Sequence, residues 1–414
     1  MLHGTVSKSG SIVIEPASGL VEHGKVSTIA PRLLPILAVV ALLVTGCAPT
    51  PTPVATPTPI ASLPGDETVI LETPQPLLDM PCTDLLEITA INAVSQNPVS
   101  ESDLPFTSLA VTQGASPATF SLMQQQGTWC EWNNGPPSYD ERGWNDSYSV
   151  LTVAVLPEAA VAWQEYVAVY GDSSVQAPQC FSSTMVDGTP IANCWWSGLT
   201  DEGAWVDTRF DGMAVGGSEP ETVARFSALL EGFTDELSAT QTGSRWVPPV
   251  DTLPIPAGCG SVFTADDLAS AFGRSASDVW QNSSGIGGTS FEFEVMRLTG
   301  SNSCSWGLPE SVQEYGNSVQ ILRGGEWAWN LAGETVPSRG TTEPLVLEGL
   351  ADTDSAWKSR TFDNGYEFVS VDLVVGRNWV SFSLSVDELA AYGADDTAMD
   401  RLAQTIVNRL RASA

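Results

Sequence analysis

"TWCEWNN" (128–134) and "SCSWGLP" (303–309) each set a tryptophan two residues after a cysteine, and each is preceded by another cysteine at nearly the same distance. Cys82, in "PCTDLLEITAINAV" (81–94), lies 48 residues before Cys130. Cys259, in "GCGSVFTADDLASAFG" (258–273), lies 45 before Cys304. Further on, "AWVDTRFDG" (204–212) is echoed by "AWKSRTFDNG" (356–365), and both halves close with a segment of helical periodicity. Landmarks recurring in one order indicate an internal duplication. The duplication selects among the fifteen pairings open to six cysteines: Cys82 with Cys130 and Cys259 with Cys304, one staple per module. Cys130 to Trp205 is 75 residues, whereas Cys304 to Trp357 is 53. The surplus of 22 contains Cys180 and Cys194 and reads as an insertion with its own local bridge. Closing a loop of nearly fifty residues stabilises the fold by roughly 4 kcal/mol on the chain-entropy model.

Periodicity around these landmarks predicts helices and an antiparallel meander in each half. Asp84 is placed to cap "LLEITAIN", and Thr264 with Asp267 forms a capping box before "LASAF", stopped by Gly273. Asn364-Gly365 reads as a hairpin turn between "AWKSRTF" and "YEFVSVDLVV", and Gly376-Arg377 turns that strand into "NWVSFSLS". Met399, Leu402, Ile406 and Leu410 recur at helical spacing, as do Val223, Phe226, Leu230 and Phe233 behind Pro220. Each stripe is expected to lie on the sheet of its own module. The fold class that follows is α+β: two tandem modules, residues 76–238 and 257–414, each an antiparallel sheet packed by helices and stapled by a disulfide. The proline- and threonine-bearing segment 239–256 reads as the linker between them.

Upstream, Leu33–Val44 is apolar except for Pro35 and follows Arg32. It is shorter than the roughly 20 residues a helix needs to cross a bilayer, and fits a signal-peptide core. The succession Val44-Thr45-Gly46-Cys47 resembles the bacterial lipobox. That resemblance implies removal of residues 1–46, acylation of Cys47 and anchoring at the extracytoplasmic face of the membrane. A secretory cleavage site with a chance cysteine, or a short anchor, is the alternative. Initiation at Val26 would leave a more compact leader. Residues 47–75, dense in proline and threonine, read as an extended stalk. Lipidation at Cys47 accounts for the odd seventh cysteine, and export makes disulfides the default for the other six.

With Cys82, Leu85, Leu86, Cys130 and Trp132 in one half and Cys259, Asp267, Leu268, Cys304 and Trp306 in the other, each module resembles the small actinobacterial lipoprotein domains of unknown function. More distantly it resembles the extracellular sensor domains of actinobacterial receptor kinases. The resemblance implies a cell-envelope lipoprotein without established chemistry; the tandem arrangement and the long stalk depart from its simplest form.

Composition narrows the chemistry. Beyond residue 46 the chain carries 14 basic and 47 acidic side chains, a net −33, which repels nucleic acid and anionic headgroups. Both histidines, His3 and His23, precede Cys47, so the processed chain would hold no imidazole for a triad or for a catalytic zinc. Lys358 is the one lysine past the leader and is expected to be solvated on a strand. Carboxylate chemistry stays open, with Glu131, Glu292 and Glu294 as the acids to inspect. Asp352, Asp354 and Asp363 sit in fragments suggestive of calcium, but none completes an EF-hand pattern, and no metal or cofactor is expected. Trp132 and Trp306 are expected in cores beside the disulfides. Trp195 and Trp196 point to opposite faces of a strand, which makes one of them a candidate contact for a glycan, small molecule or protein partner. The function expected is a non-enzymatic ligand-binding or sensing ectodomain, the alternative a carboxylate-dependent enzyme acting on cell-wall glycan.

Overall fold

Val380, Phe382 and Leu384 alternate with Ser381 and Ser383, and the strand they form buries the first set against helices while its serines face the other way. That alternation builds both sheets. The computed structural model describes residues 73–413, apart from position 79 and segments 103–115, 136–138, 141–142, 145–147, 171–176, 185–187, 235–236, 238–244, 257, 276–279, 283–290, 308–317, 336–339 and 364–365. The proposed leader, Cys47 and most of the stalk lie outside the described residues.

The first module contributes β1 (Ser100–Glu101), β2 (Thr128–Asn133), a small ribbon of β3 (Tyr139–Asp140) and β4 (Gly143–Trp144), β5 (Val150–Leu156), β6 (Gln179–Thr184), β7 (Pro190–Leu199) and β8 (Trp205–Ala214). Its sheet runs β1-β2-β5-β8-β7-β6. The second contributes β9 (Trp280–Asn282), β10 (Asn302–Gly307), β11 (Ser318–Leu322), β12 (Gly340–Pro344), β13 (Ser355–Asp363), β14 (Tyr366–Val375) and β15 (Asn378–Ser385), in the order β12-β13-β14-β15-β11-β10-β9. Every pairing within the two sheets is antiparallel. Disulfides join Cys82 to Cys130, Cys180 to Cys194 and Cys259 to Cys304. The architecture is therefore α+β in two tandem modules.

Eleven helices flank the sheets among the described residues. In the first module α1 (Cys82–Leu85), α2 (Ile88–Asn92), α3 (Pro117–Gln124), α4 (Ala160–Tyr170) and α5 (Glu219–Thr234) follow the chain. In the second come α6 (Cys259–Val262), α7 (Ala265–Phe272), α8 (Phe291–Leu298), α9 (Glu326–Thr335), α10 (Val386–Ala391) and α11 (Thr397–Ala412). The stripe of α11 is fully buried, Met399, Leu402, Ile406 and Leu410 all packing on the second sheet, and Phe226 and Leu230 of α5 do the same on the first. Each such side chain contributes roughly 1.5–3 kcal/mol. Thr264 and Asp267 form the expected capping box, and Gly273 ends α7 at a left-handed φ of 65°. Gly376 and Arg377 both take positive φ, 52° and 66°, as a two-residue hairpin turn requires.

Asp84 does not cap a single helix. The stretch divides into α1 and α2, with Asp84 inside the first and Leu86 extended at φ −145°. Adjacent Leu85 and Leu86 both enter the core, and two neighbours roughly 100° apart on a helix cannot face one core patch together, so the chain straightens between them. Lys358 is also not a solvated lysine. Its side chain is 14% exposed and pairs with Asp400 at 3.1 Å and Glu343 at 3.6 Å, because its register on β13 faces α11.

Strand register also revises the repeat. Leu156 of β5 pairs with Trp205 of β8, and Leu322 of β11 pairs with Trp379 of β15. Trp379 lies 75 residues after Cys304, the same interval as Trp205 after Cys130. The structural counterpart of Trp205 is thus Trp379, and Trp357, on β13, is not. No insertion remains: the Cys180–Cys194 hairpin of β6 and β7 occupies the place of β13 and β14. Both tryptophans are fully buried. The Trp205 indole N–H donates to Ser197 Oγ at 2.8 Å, and that of Trp379 to Asp372 Oδ1 at 3.0 Å. Ser197 and Asp372 hold the same register, opposite Asp207 and Ser381, each two residues beyond its tryptophan.

The two modules exchange a helix. α3, which precedes β2, sets Phe120 against Trp327 and Trp379 of the second module, with ring centroids 6.1 and 5.6 Å away. The Ala118 N–H of the same helix donates to Gln320 Oε1 at 3.2 Å, and Gln124 Nε2 donates to the Arg323 carbonyl at 2.9 Å. Reciprocally α8, which precedes β10, sets Phe291 5.2 Å from Trp205 in the first module. The third ring also corresponds: Trp163 and Trp329 each follow the paired leucine by seven residues, and they stand 5.2 and 5.7 Å from their buried tryptophans. Residues 245–256, expected as a plain linker, strap both modules. The Trp246 N–H donates to Gln126 Oε1 at 2.6 Å, its ring meets Trp327 at 6.4 Å, and the Leu253 N–H donates to the Gly376 carbonyl at 3.0 Å. The described residues accordingly form one compact unit.

Candidate functional site

β8 reads Trp205-Val206-Asp207-Thr208-Arg209-Phe210-Asp211, and its period of two sends Val206, Thr208 and Phe210 into the core. The other face carries Trp205, Asp207, Arg209 and Asp211. On the neighbouring β7, Trp195 lies opposite Arg209 and Ser197 opposite Asp207. Phe181 of the edge strand β6 lies opposite Asn193. Above this face α4 brings Tyr166 and α8 brings Phe291, both packed on Trp205, with ring centroids 4.9 and 5.2 Å from it. The result is a groove of about 300 Å³ whose floor is β7 and β8 and whose wall is shared by the two modules.

The polar side chains of the groove alternate in charge along one strand. Asp207 and Arg209 pair at 3.5 Å, the aspartate side chain 14% and the arginine 46% exposed. Crowding by surrounding protein raises the pKa of the Asp211 carboxyl, opposed by the positive charge of Arg209. Asp211 nonetheless presents surface to solvent at the rim. Aromatic surface flanks this row: Trp195 is half-buried, and Phe181 is 60% exposed. The ion pair Arg297–Glu165, at 2.8 Å, ties α8 to α4 and holds the wall in place.

The candidates from sequence fall in different places. Trp195 lines the groove. Trp196 turns to the opposite face, packs on the core of the first module and leaves room for its ring only because residue 198 is glycine; a Cβ there would sit 2.3 Å from Trp196 Cζ2. Glu131 is buried at 3% exposure on β2, accepting from Asn133 Nδ2 at 2.7 Å and Trp129 Nε1 at 3.4 Å. Glu294 pairs with Arg297 at 2.8 Å on its own helix, and the side chain of Glu292 lies outside the described residues. Asp354 organises a turn, accepting from the N–H groups of Ala351 and Gly376, each at 2.9 Å, and pairing with Arg411. The side chain of Asp363 lies outside the described residues, and Asp352 is exposed. Among the described residues no group of three His, Cys, Asp or Glu is placed to hold a metal ion, and no helix is long and apolar enough to cross a membrane. Trp132 and Trp306 are buried in the two cores alongside Cys130 and Cys304.

Asp207, Arg209, Asp211, Tyr166 and Phe291 were not singled out by the sequence. The signal was present: three charged residues at alternate positions of one strand mark a polar face. The tie to Tyr166 and Phe291 depends on the helix exchange and has no local signature.

No family model matches the chain, and no curated protein matches it. Among solved structures, it is similar to DynU16, from the dynemicin biosynthetic locus, at 12% identity over 76% of this chain and 96% of that chain, with a TM-score of 0.12. It is also similar to the di-domain ARO/CYC StfQ of the steffimycin biosynthetic pathway, at 6% identity over 83% and 96%, with a TM-score of 0.14. Likenesses of this size carry no argument about fold or activity.

Proposed function

We propose that this protein is a lipoprotein anchored through Cys47 at the extracytoplasmic face of the cell membrane, and that its paired modules bind or sense an extracellular ligand without turning it over. Three disulfides support an oxidising compartment. The lipobox-like Val44–Cys47 and the stalk that follows support the tether. The observation that carries the binding reading is the groove over β7 and β8, concave, aromatic-walled and holding a few convergent polar groups.

The same groove argues against hydrolysis. Asp207 and Asp211 are four residues apart on one strand, so their Cα atoms are about 13 Å apart. Glycosidase carboxyls lie roughly 5 to 10 Å apart on either side of the bond they cleave. Arg209 sits between the two acids and pairs with one of them, which leaves no position for a facing acid and base. Loss of both histidines with the leader removes the commonest general base as well.

Two measurements test this reading. Metabolic labelling with an alkyne fatty acid is expected to mark the wild-type chain and not Cys47→Ala; label retained on the variant would overturn the anchor. Thermal-shift screening of the full chain against wall glycans, amines, lipids and peptides is expected to give at least one stabilising ligand. Silence across all four classes would overturn the binding reading.

A further inference from the structure

We infer that the groove over β7 and β8 takes a neutral oligosaccharide laid along β8, its rings stacked on Trp195 and Phe181 and its hydroxyls read by Asp207, Arg209 and Asp211. This inference rests on the binding reading above and names the chemistry of the ligand.

The first argument is the order of donors and acceptors. Along β8 the groove presents an acceptor, a donor and an acceptor from Cα positions about 7 Å apart, the first two side chains leaning together into a pair. Asn193, with both functions in one amide, stands at the β6 side. A sugar hydroxyl donates and accepts, so a run of hydroxyls can match every position of such a row. An ammonium ligand only donates, and would set its charge against the guanidinium of Arg209. An anionic ligand would compete with Asp207 for Arg209 and meet two aspartates, on a chain whose processed form carries −33. The mixed row selects a neutral polyol over either ion.

The second argument is the aromatic surface. Phe181 is 60% exposed, so its ring is accessible from the groove that it lines. It lies diagonally across from Trp195 on the adjacent strand, a separation of about 7–8 Å between backbone positions. Both side chains stand on the face that carries the polar row. Apolar ring faces beside a line of hydroxyl-binding groups fit a molecule that is apolar on its flat faces and polar around its edge, as pyranose rings are. The length of the row accommodates more than one ring.

The third argument is what holds the row still. Trp205 under the groove bonds to Ser197, and Tyr166, Trp163 and Phe291 pack around it, so the floor is rigid on both sides of the module boundary. A preformed site loses less entropy on binding.

The test is isothermal titration of the full-length, disulfide-bonded protein with cellotetraose, chitotetraose and maltotetraose, with spermidine and citrate as the charged probes. At least one tetrasaccharide is expected to bind, and Trp195→Ala and Phe181→Ala are each expected to weaken it at least tenfold, as loss of a central aromatic anchor does. Phe181→Ala should leave the melting temperature unchanged, since that ring is exposed, and so separates lost binding from lost folding. Binding of spermidine or citrate with no sugar binding would overturn the glycan assignment while the binding reading stands. Sugar binding that both variants leave intact would overturn the location. No binding by any probe would overturn the glycan assignment, and the four-class thermal screen then decides the broader reading.

Discussion

Replacing Phe120 by alanine tests the exchange of helices between modules. Phe120 belongs to the first module by sequence, is 2% exposed, and is buried against Trp327 and Trp379 of the second. Emptying such a site costs about 3–5 kcal/mol. At about 2.1 cal/mol/K of unfolding entropy per residue, a single cooperative unit the size of residues 73–413 would melt about 4–7 °C lower. Differential scanning calorimetry on the oxidised protein, run in parallel with tryptophan fluorescence, reads both the size of the shift and its cooperativity. The expected outcome is one transition, lowered by that amount and coincident in the two signals. Modules that fold independently would give two transitions, and a substitution in "PATFSLMQ" (117–124) would move only the first. A second-module transition unchanged by Phe120→Ala would refute the exchange. Phe291→Ala is the reciprocal case, opening its cavity beside Trp205, and is expected to lower the same single transition.

Two further outcomes follow from particular residues. Burial raises Asp372 to about 6, against the hydrogen bonds it accepts from Trp379 and Ser381. A carboxyl whose folded pKa lies above its unfolded value binds more protons in the native state, so stability falls as pH rises from about 4 to about 6 and is flat above. Asp372→Asn keeps an acceptor for Trp379 and is expected to abolish that slope, leaving the variant more stable at pH 7 by at most about 3 kcal/mol; urea titrations at pH 4, 5, 6 and 7 read it, and an undiminished slope would count against the assignment. Gly376→Ala places a Cβ 2.2 Å from Leu253 Cγ at a φ of 52°. It is expected to destabilise by about 1–3 kcal/mol, read as a lower urea midpoint at unchanged m, and an unshifted midpoint would show that residues 251–256 do not close over the β14–β15 turn.

Local rules carried much of the fold. The capping box at Thr264, the turn at Gly376-Arg377, the alternation in β15 and the stripe of α11 depend on neighbours within a turn or a strand, and all are where periodicity puts them. Cys-x-Trp worked as a landmark because a disulfide and a buried indole occupy one core. The repeat register was misread because Ala-Trp recurs at 204–205 and 356–357 on strands that are not equivalent. Composition matched there, but pairing did not, and pairing is a non-local property. Lys358 was misread for the same reason, since only the packing of α11 over β13 brings Asp400 to it. The groove was half legible: Trp195 followed from alternation, whereas Phe291 comes from the other half of the chain and could be placed only by the exchanged helices.

The corrected register turns the duplication into a comparison of two sites built on one frame. Positions that hold the frame are alike: Trp205 and Trp379, Leu156 and Leu322, and the indole bond to the next strand, made to Ser197 in one module and Asp372 in the other. Positions that face outward differ. Trp195 corresponds to Ser370, Asp207 to Ser381 and Arg209 to Ser383, so the second sheet offers small hydroxyl side chains where the first offers an aromatic ring and an ion pair. A frame requires its buried partners whatever the outer face does. The half-buried Trp195 and the Asp207–Arg209 pair, whose arginine reaches solvent, therefore vary without change to the frame beneath them. What separates the two modules on this frame is the chemistry of that face, an indole and an ion pair on the first and serines on the second.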